Sequence, residues 1–228
     1  MNWKPCLLVW ESEGLAMAQF ELAGLKRLKA VCQEHGLPME ILPPEGTRPA
    51  MGESFLGQPF DPILSELYAE MSGAVLGDFQ IYPFRKVDNV VLRINEGMRS
   101  SGDEPYSSSL LFGQIPLLAY YFATVPPLAD SAGIQPVIFI DGYEGDQVLP
   151  IASSVDELFM TFSTYLERAV AMPEFTVERR IRLHFPKQVP DLIARDRALV
   201  AAMSSGRFDR LLNNEESREW VAQVVVVA

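Results

Sequence analysis

Val148-Leu149-Pro150-Ile151-Ala152-Ser153-Ser154-Val155-Asp156-Glu157-Leu158-Phe159 changes periodicity partway through. Its first part, ending at Ile151, is an apolar run suited to a strand. Ser154 and Glu157 then match a capping box, in which each side chain satisfies an orphan backbone donor of a helix start. Val155, Leu158, Phe159, Phe162, Tyr165, Leu166 and Ala169 follow at three- and four-residue steps, which predicts a strong helical face. A strand running into an amphipathic helix places a sheet and a helix layer on one core.

Upstream, between Gly77 and Pro150, short runs rich in Val, Ile, Phe and Tyr alternate with turn residues. They predict strands at Phe79–Phe84, Asn89–Ile94, Ser109–Ile115, Leu118–Thr124, Pro136–Ile140 and Gln147–Ile151. Few helix-length segments intervene, so an antiparallel meander is favoured over parallel crossovers. Asp141-Gly142-Tyr143-Glu144-Gly145-Asp146 reads as a hairpin connection. The fold class expected is α+β, an antiparallel sheet of about five to six strands flanked by helices, with a C-terminal extension.

Further upstream, Leu22, Leu25, Leu28 and Cys32 predict a helix over 15–35, stopped by Gly36 and Pro38. Prolines and glycines make 43–59 a loop. Asp61-Pro62 starts a second helix, carrying Ile63, Leu64, Leu67, Tyr68 and Met71 and ending at Gly73. After Pro173 the chain turns Arg-rich. Phe175–Phe185 reads as extended, Asp191–Met203 as a helix ended by Gly206, Phe208–Leu212 as a further helical turn, and Trp220–Val227 as a last strand. This divides the chain into a domain over 1–172 and a docked extension over 173–228.

With 228 residues, 48% of them hydrophobic, the chain has material for a substantial core. Its formal charge of −11 is uneven: up to Met172 ten Lys/Arg face 22 Asp/Glu, and from Pro173 nine face eight. A negative first part disfavours nucleic acid and anionic membranes and attracts a basic protein. The apolar run Cys6–Trp10 is too short for a signal peptide. The uncharged stretch between Glu104 and Asp130 is broken by serines and prolines, so no membrane span is expected and cytoplasm is the expected compartment.

Chemistry-bearing patterns are sparse. His35 at a helix end and His184 among apolar residues suit structural roles, and Cys6 and Cys32 form no zinc spacing with them. Asp141–Asp146 lacks the glycine position and terminal Glu of a calcium loop. Ser107-Ser108-Ser109 lacks the context that exposes a strained nucleophile, and Asp103-Glu104 beside Gly102 and Pro105 reads as a solvated loop. Arg179, Arg180 and Arg182 lack interleaved aromatics for nucleic-acid stacking. No catalytic residue, cofactor or metal ligand is expected. Glu96, Asp103, Glu104, Asp141, Glu144 and Asp146 are the partner-binding candidates on the acidic part.

The order of elements over roughly 37–170 resembles the SUKH superfamily, whose members include the bacterial Syd protein, fungal cell-wall-assembly regulators and immunity proteins encoded beside toxins. Leu37-Pro38 or Leu42-Pro43 fits its Leu-Pro step. Leu64-Ser65-Glu66-Leu67-Tyr68-Ala69-Glu70-Met71-Ser72-Gly73 resembles its helix ending in Asn-Gly, with Ser72 in place of Asn. Val148–Phe159 resembles its strand and capped closing helix, with Val155 where Phe is common. The resemblance implies a non-enzymatic protein-binding role. An immunity protein against a co-encoded basic toxin domain is one form of it. A regulatory or scaffold protein, and a hydrolase, remain alternatives, and the oligomeric state stays open.

Overall fold

The computed structural model describes residues 20–46, 48–50, 53–100, 102–178, 181–212 and 214–228. Its centre is a seven-stranded antiparallel sheet, ordered β1 (Met39–Leu42), β4 (Gly73–Leu76), β5 (Phe79–Ile81), β6 (Leu110–Ile115), β7 (Tyr120–Thr124), β8 (Val137–Asp141) and β9 (Gln147–Ala152). A two-stranded hairpin, β2 (Ser54–Phe55) with β3 (Gln58–Pro59), is inserted between β1 and β4. The α+β class and the meander expected of the sequence are present. The sheet is wider than expected because Met39–Leu42 and Gly73–Leu76, next to a Pro-rich loop and a helix end, also pair.

Apolar side chains of one sheet face meet the helix predicted from Ser154. Phe122 pairs with Phe139 across β7 and β8, and the Phe79 ring lies 4.4 Å from Phe122. Phe79 in turn packs edge-on against Phe159 and Phe162 of α4 (Val155–Val170), at 5.8 and 5.3 Å. Ser154 caps α4 by accepting the Glu157 N–H. Helix α1 (Ala23–His35) lies along α4 and ends at Gly36 in the left-handed region; positions 15–19 of its predicted span lie outside the described residues.

Four expectations are corrected. Asn89–Ile94 is not a strand: Val90–Arg99 is helix α3, started by Asn89 accepting the Leu92 N–H. Val91 and Asn95, one turn apart, are its buried pair, and this helical spacing outweighs the strand propensity of the valines. The expected extended segment Phe175–Phe185 starts instead as helix, because Pro173 and Glu174 open the short helix α5 (Pro173–Glu178); residues 179–180 of it lie outside the described residues. Phe185 then turns inward against Phe162 and Tyr165. Trp220–Val227 belongs to helix α8 (Glu215–Val227), in which Ser217, Trp220 and Val224 are buried at three- and four-residue steps. The expected helix Asp191–Met203 is two, α6 (Pro190–Ile193) and α7 (Arg197–Ser204), divided where Asp196 caps the second. The second upstream helix, α2 (Pro62–Glu70), starts where Asp61 accepts the Leu64 N–H.

The C-terminal helices close one side of the sheet. The Val148 N–H on the outer edge of β9 donates to Ser217 Oγ, and Trp220 Nε1 donates to the Pro150 carbonyl. Val189, Leu192, Phe208 and Trp220 join the same buried cluster as the sheet residues. This leaves the two edges unlike one another: β9 is covered by α8, whereas β1 has no strand on its outer side among the described residues.

Candidate interaction surface

The ends of the β6–β7 and β8–β9 hairpins lie side by side at one end of the sheet. In the first, Pro116 is followed by Leu117 at φ +67°, and the Leu118 N–H closes the turn on the Ile115 carbonyl at 3.2 Å. That is a turn whose third position favours Gly or Asn. Here it carries a leucine that is 99% exposed, next to Leu118, also exposed. A left-handed leucine costs about 1 kcal/mol relative to glycine and gains nothing back from burial here.

The second tip supports the first. The Gly142 N–H donates to the Ala119 carbonyl at 2.8 Å, and a Cβ at Gly142 would sit 3.1 Å from the Ala119 side chain. Only glycine permits that approach without displacement. Tyr143 follows, 63% exposed, its ring perpendicular to Tyr120 at 5.6 Å. Leu117, Leu118 and Tyr143 therefore form an exposed apolar tip at the end of the sheet, where the Gly142–Ala119 bond joins the two hairpins.

The candidates Asp141, Glu144 and Asp146 surround this tip in different ways. Asp141 is buried, and its carboxylate is engaged by Lys187 Nζ at 2.6 Å and by the Tyr143 N–H. It holds the tip and the turn at 185–188 together and is not on the exposed acidic face. Glu144 is exposed, with Lys187 3.9 Å away. Asp146 accepts the Tyr106 hydroxyl at 2.5 Å. Burial, and then the Asp146 bond, push the Tyr106 phenol well above its ordinary range. Burial also raises the Tyr120 and Tyr121 phenols, with Asp141 and Asp146 respectively adding to it, so these rings stay neutral. The three acids of this loop are thus directed to an ammonium and a phenol, which suits a turn and not a cation cage.

Glu96 is exposed on α3, and Asp103 and Glu104 are exposed in the connection to β6. The Tyr106–Asp146 bond ties that connection to the β8–β9 tip. Glu104 also borders a cleft of about 300 Å³, with Gln58, Ser107, Ser108, Arg207 and Arg210. Ser108 Oγ donates to Glu104, and Ser109 Oγ to the Pro105 carbonyl, as loop serines do. His35 ends α1 and His184 is exposed after α5, and neither lines this cleft. A surface carboxylate with no imidazole beside it is a poor base for a serine. Cys32 is buried beside Asp78, and burial followed by that charge lifts its thiol to about 11, which removes it as a nucleophile.

Among the described residues no group of three or more His, Cys, Asp and Glu is placed to hold a metal ion, and no helix is long and apolar enough to cross a membrane. Cys6, Arg179 and Arg180 lie outside the described residues. Comparisons with family models, with curated proteins and with solved structures find no match. The leucine tip was missed in the sequence because Ile115 and Leu118 read as strand ends. Pro116-Leu117, a proline turn without its glycine, is the signal that marks it.

Proposed function

We propose that this chain is a non-enzymatic protein-binding domain that engages a basic partner through the hairpin tips at Leu117 and Tyr143. The observation that carries this reading is Leu117, held fully exposed in a conformation that disfavours leucine. Strain and exposed apolar surface concentrate where a protein binds something. Tyrosine and leucine form the anchor, and Glu144, with the acidity of the first 172 residues, supplies complementary charge that speeds encounter.

The SUKH resemblance favours the same class, with an immunity protein neutralising a co-encoded basic toxin domain as its sharpest form. Residues 1–172 are its SUKH-like part in this proposal, and 173–228 its extension. The fold alone selects no partner. The test is co-purification with the product of the adjacent gene. A complex that depends on Leu117 and Tyr143 supports the reading, and no complex with any neighbouring product removes the immunity form of it.

A further inference from the structure

The two sheet edges are treated differently by the chain. At β9 the outward Val148 N–H and Pro150 carbonyl are both taken by α8. At β1 the Gly77 N–H donates inward to the Pro38 carbonyl and the Ser72 N–H to the Leu42 carbonyl. The alternation of an antiparallel ladder then turns the backbone groups of Glu40 toward β4 and those of Met39 and Ile41 outward. Neither Met39 nor Ile41 has an outward backbone partner among the described residues. Their side chains, on the face opposite Glu40, are 45% and 40% exposed.

A free edge strand templates pairing, and short length, prolines and charge limit how much of it is open; here Pro38 and Pro43 bound an edge of four residues, Met39–Leu42. This one carries Glu40, which is exposed and makes no ion pair among the described residues. Beside it lies a shallow groove of about 130 Å³, lined by Glu40, Leu42, Val75 and Gln80. The stem of a lysine or arginine fits over Leu42 and Val75 with its charge at Glu40.

Resting on the protein-binding reading above, we infer that the β1 edge is a second docking site, where an extended segment of a protein partner adds to the sheet. That segment places a Lys or Arg over Glu40 and apolar side chains beside Met39 and Ile41. Main-chain bonds to Met39 and Ile41 supply affinity, and Glu40 supplies selection for a basic strand. A second copy of this chain fits poorly. Symmetric antiparallel pairing about Glu40 would set the two Glu40 carboxylates in the close pair of the ladder, where like charges repel.

The test is amide hydrogen exchange and NMR on the full chain, with a capped heptapeptide of alternating valine and lysine as probe and the valine–glutamate peptide as control. The Met39 and Ile41 amides are expected to exchange fast in the free chain and to become protected by the valine–lysine peptide, which binds roughly tenfold tighter than the control. Glu40→Lys reverses that preference with the fold intact, and Ile41→Pro removes the outward donor and abolishes protection. Protection already present in the free chain, or a dimer that forms through this strand, would overturn the inference, because the edge is then already filled. Shifts confined to Leu117, Tyr143 and Glu144 overturn it while leaving the partner-binding reading in place. Shifts at neither site count against both.

Discussion

At Gly24 an added methyl would lie 2.1 Å from the Asp156 carbonyl oxygen and 2.8 Å from the Met160 nitrogen. The glycine lets the start of α1 press onto α4, where the Asp156 carboxylate accepts the Gly24 and Leu25 N–H groups and caps α1 from another helix. Alanine would gain about 1 kcal/mol in helix propensity. Overpacking typically costs about 1–3 kcal/mol, and the cap is loosened as well. Gly24→Ala is therefore expected to lower the thermal midpoint by a few degrees; a rise would show that α1 slides freely. Asn95 is a second such residue, its amide donating to the Val91 and Leu111 carbonyls and accepting the Leu111 N–H. Asn95→Ala should lose about 2–3 kcal/mol in chemical denaturation, because it leaves buried backbone groups of β6 unpaired. Asp61 adds a pH dependence. Burial lifts its carboxyl to about 6, although the Leu64, Gln135 and Ile63 N–H groups pull the other way. The folded state then holds a proton that the unfolded state releases, so this group's contribution to stability falls as pH rises from about 4 to about 6. Comparing denaturation midpoints of the protein and of Asp61→Asn across that window should show the gap shifting in favour of Asn at the upper end. A pH-independent gap would place the charge cost elsewhere.

Among the elements, α8 has the clearest single dependence. Trp220 is buried against β9 and donates to Pro150. Trp220→Ala is expected to cost about 3–5 kcal/mol and to raise light scattering on mild heating, since it uncovers a strand edge. A destabilised variant that stays monodisperse would mean the edge is protected by other means. The same elements explain what the sequence made legible. The five strands around Phe79, Ser109, Leu118, Pro136 and Gln147 and the helix capped by Ser154 were all readable. Each combines a periodic apolar pattern with its own turn or cap. Asn89–Ile94 and Trp220–Val227 misled because valine runs carry strand propensity, while the burial that makes them helices comes from distant partners such as Leu111 and Pro150. β1 and β4 were hidden because four-residue strands have too few residues to display a period.

For the whole molecule, the acidity of the first 172 residues was plain in the sequence, but its grouping was not. Asp141 and Lys187 are 46 residues apart and become an ion pair only in the fold, with the carboxylate buried, whereas Glu144 stays outside. The apolar tip depends on two hairpins packing through Gly142 and Ala119, which no local pattern announces. The account therefore centres on Leu117, where stability and binding are set against each other. Leu117→Gly relieves the left-handed backbone and should stabilise the fold by up to about 1 kcal/mol while removing the exposed anchor. The most direct test is titration calorimetry of this chain and of Leu117→Gly against the product of the adjacent gene, alongside their thermal midpoints. The expected result is a variant that melts higher and binds at least about tenfold more weakly. A variant that melts higher and binds the same product with unchanged affinity would contradict the assignment of the tip as the binding site.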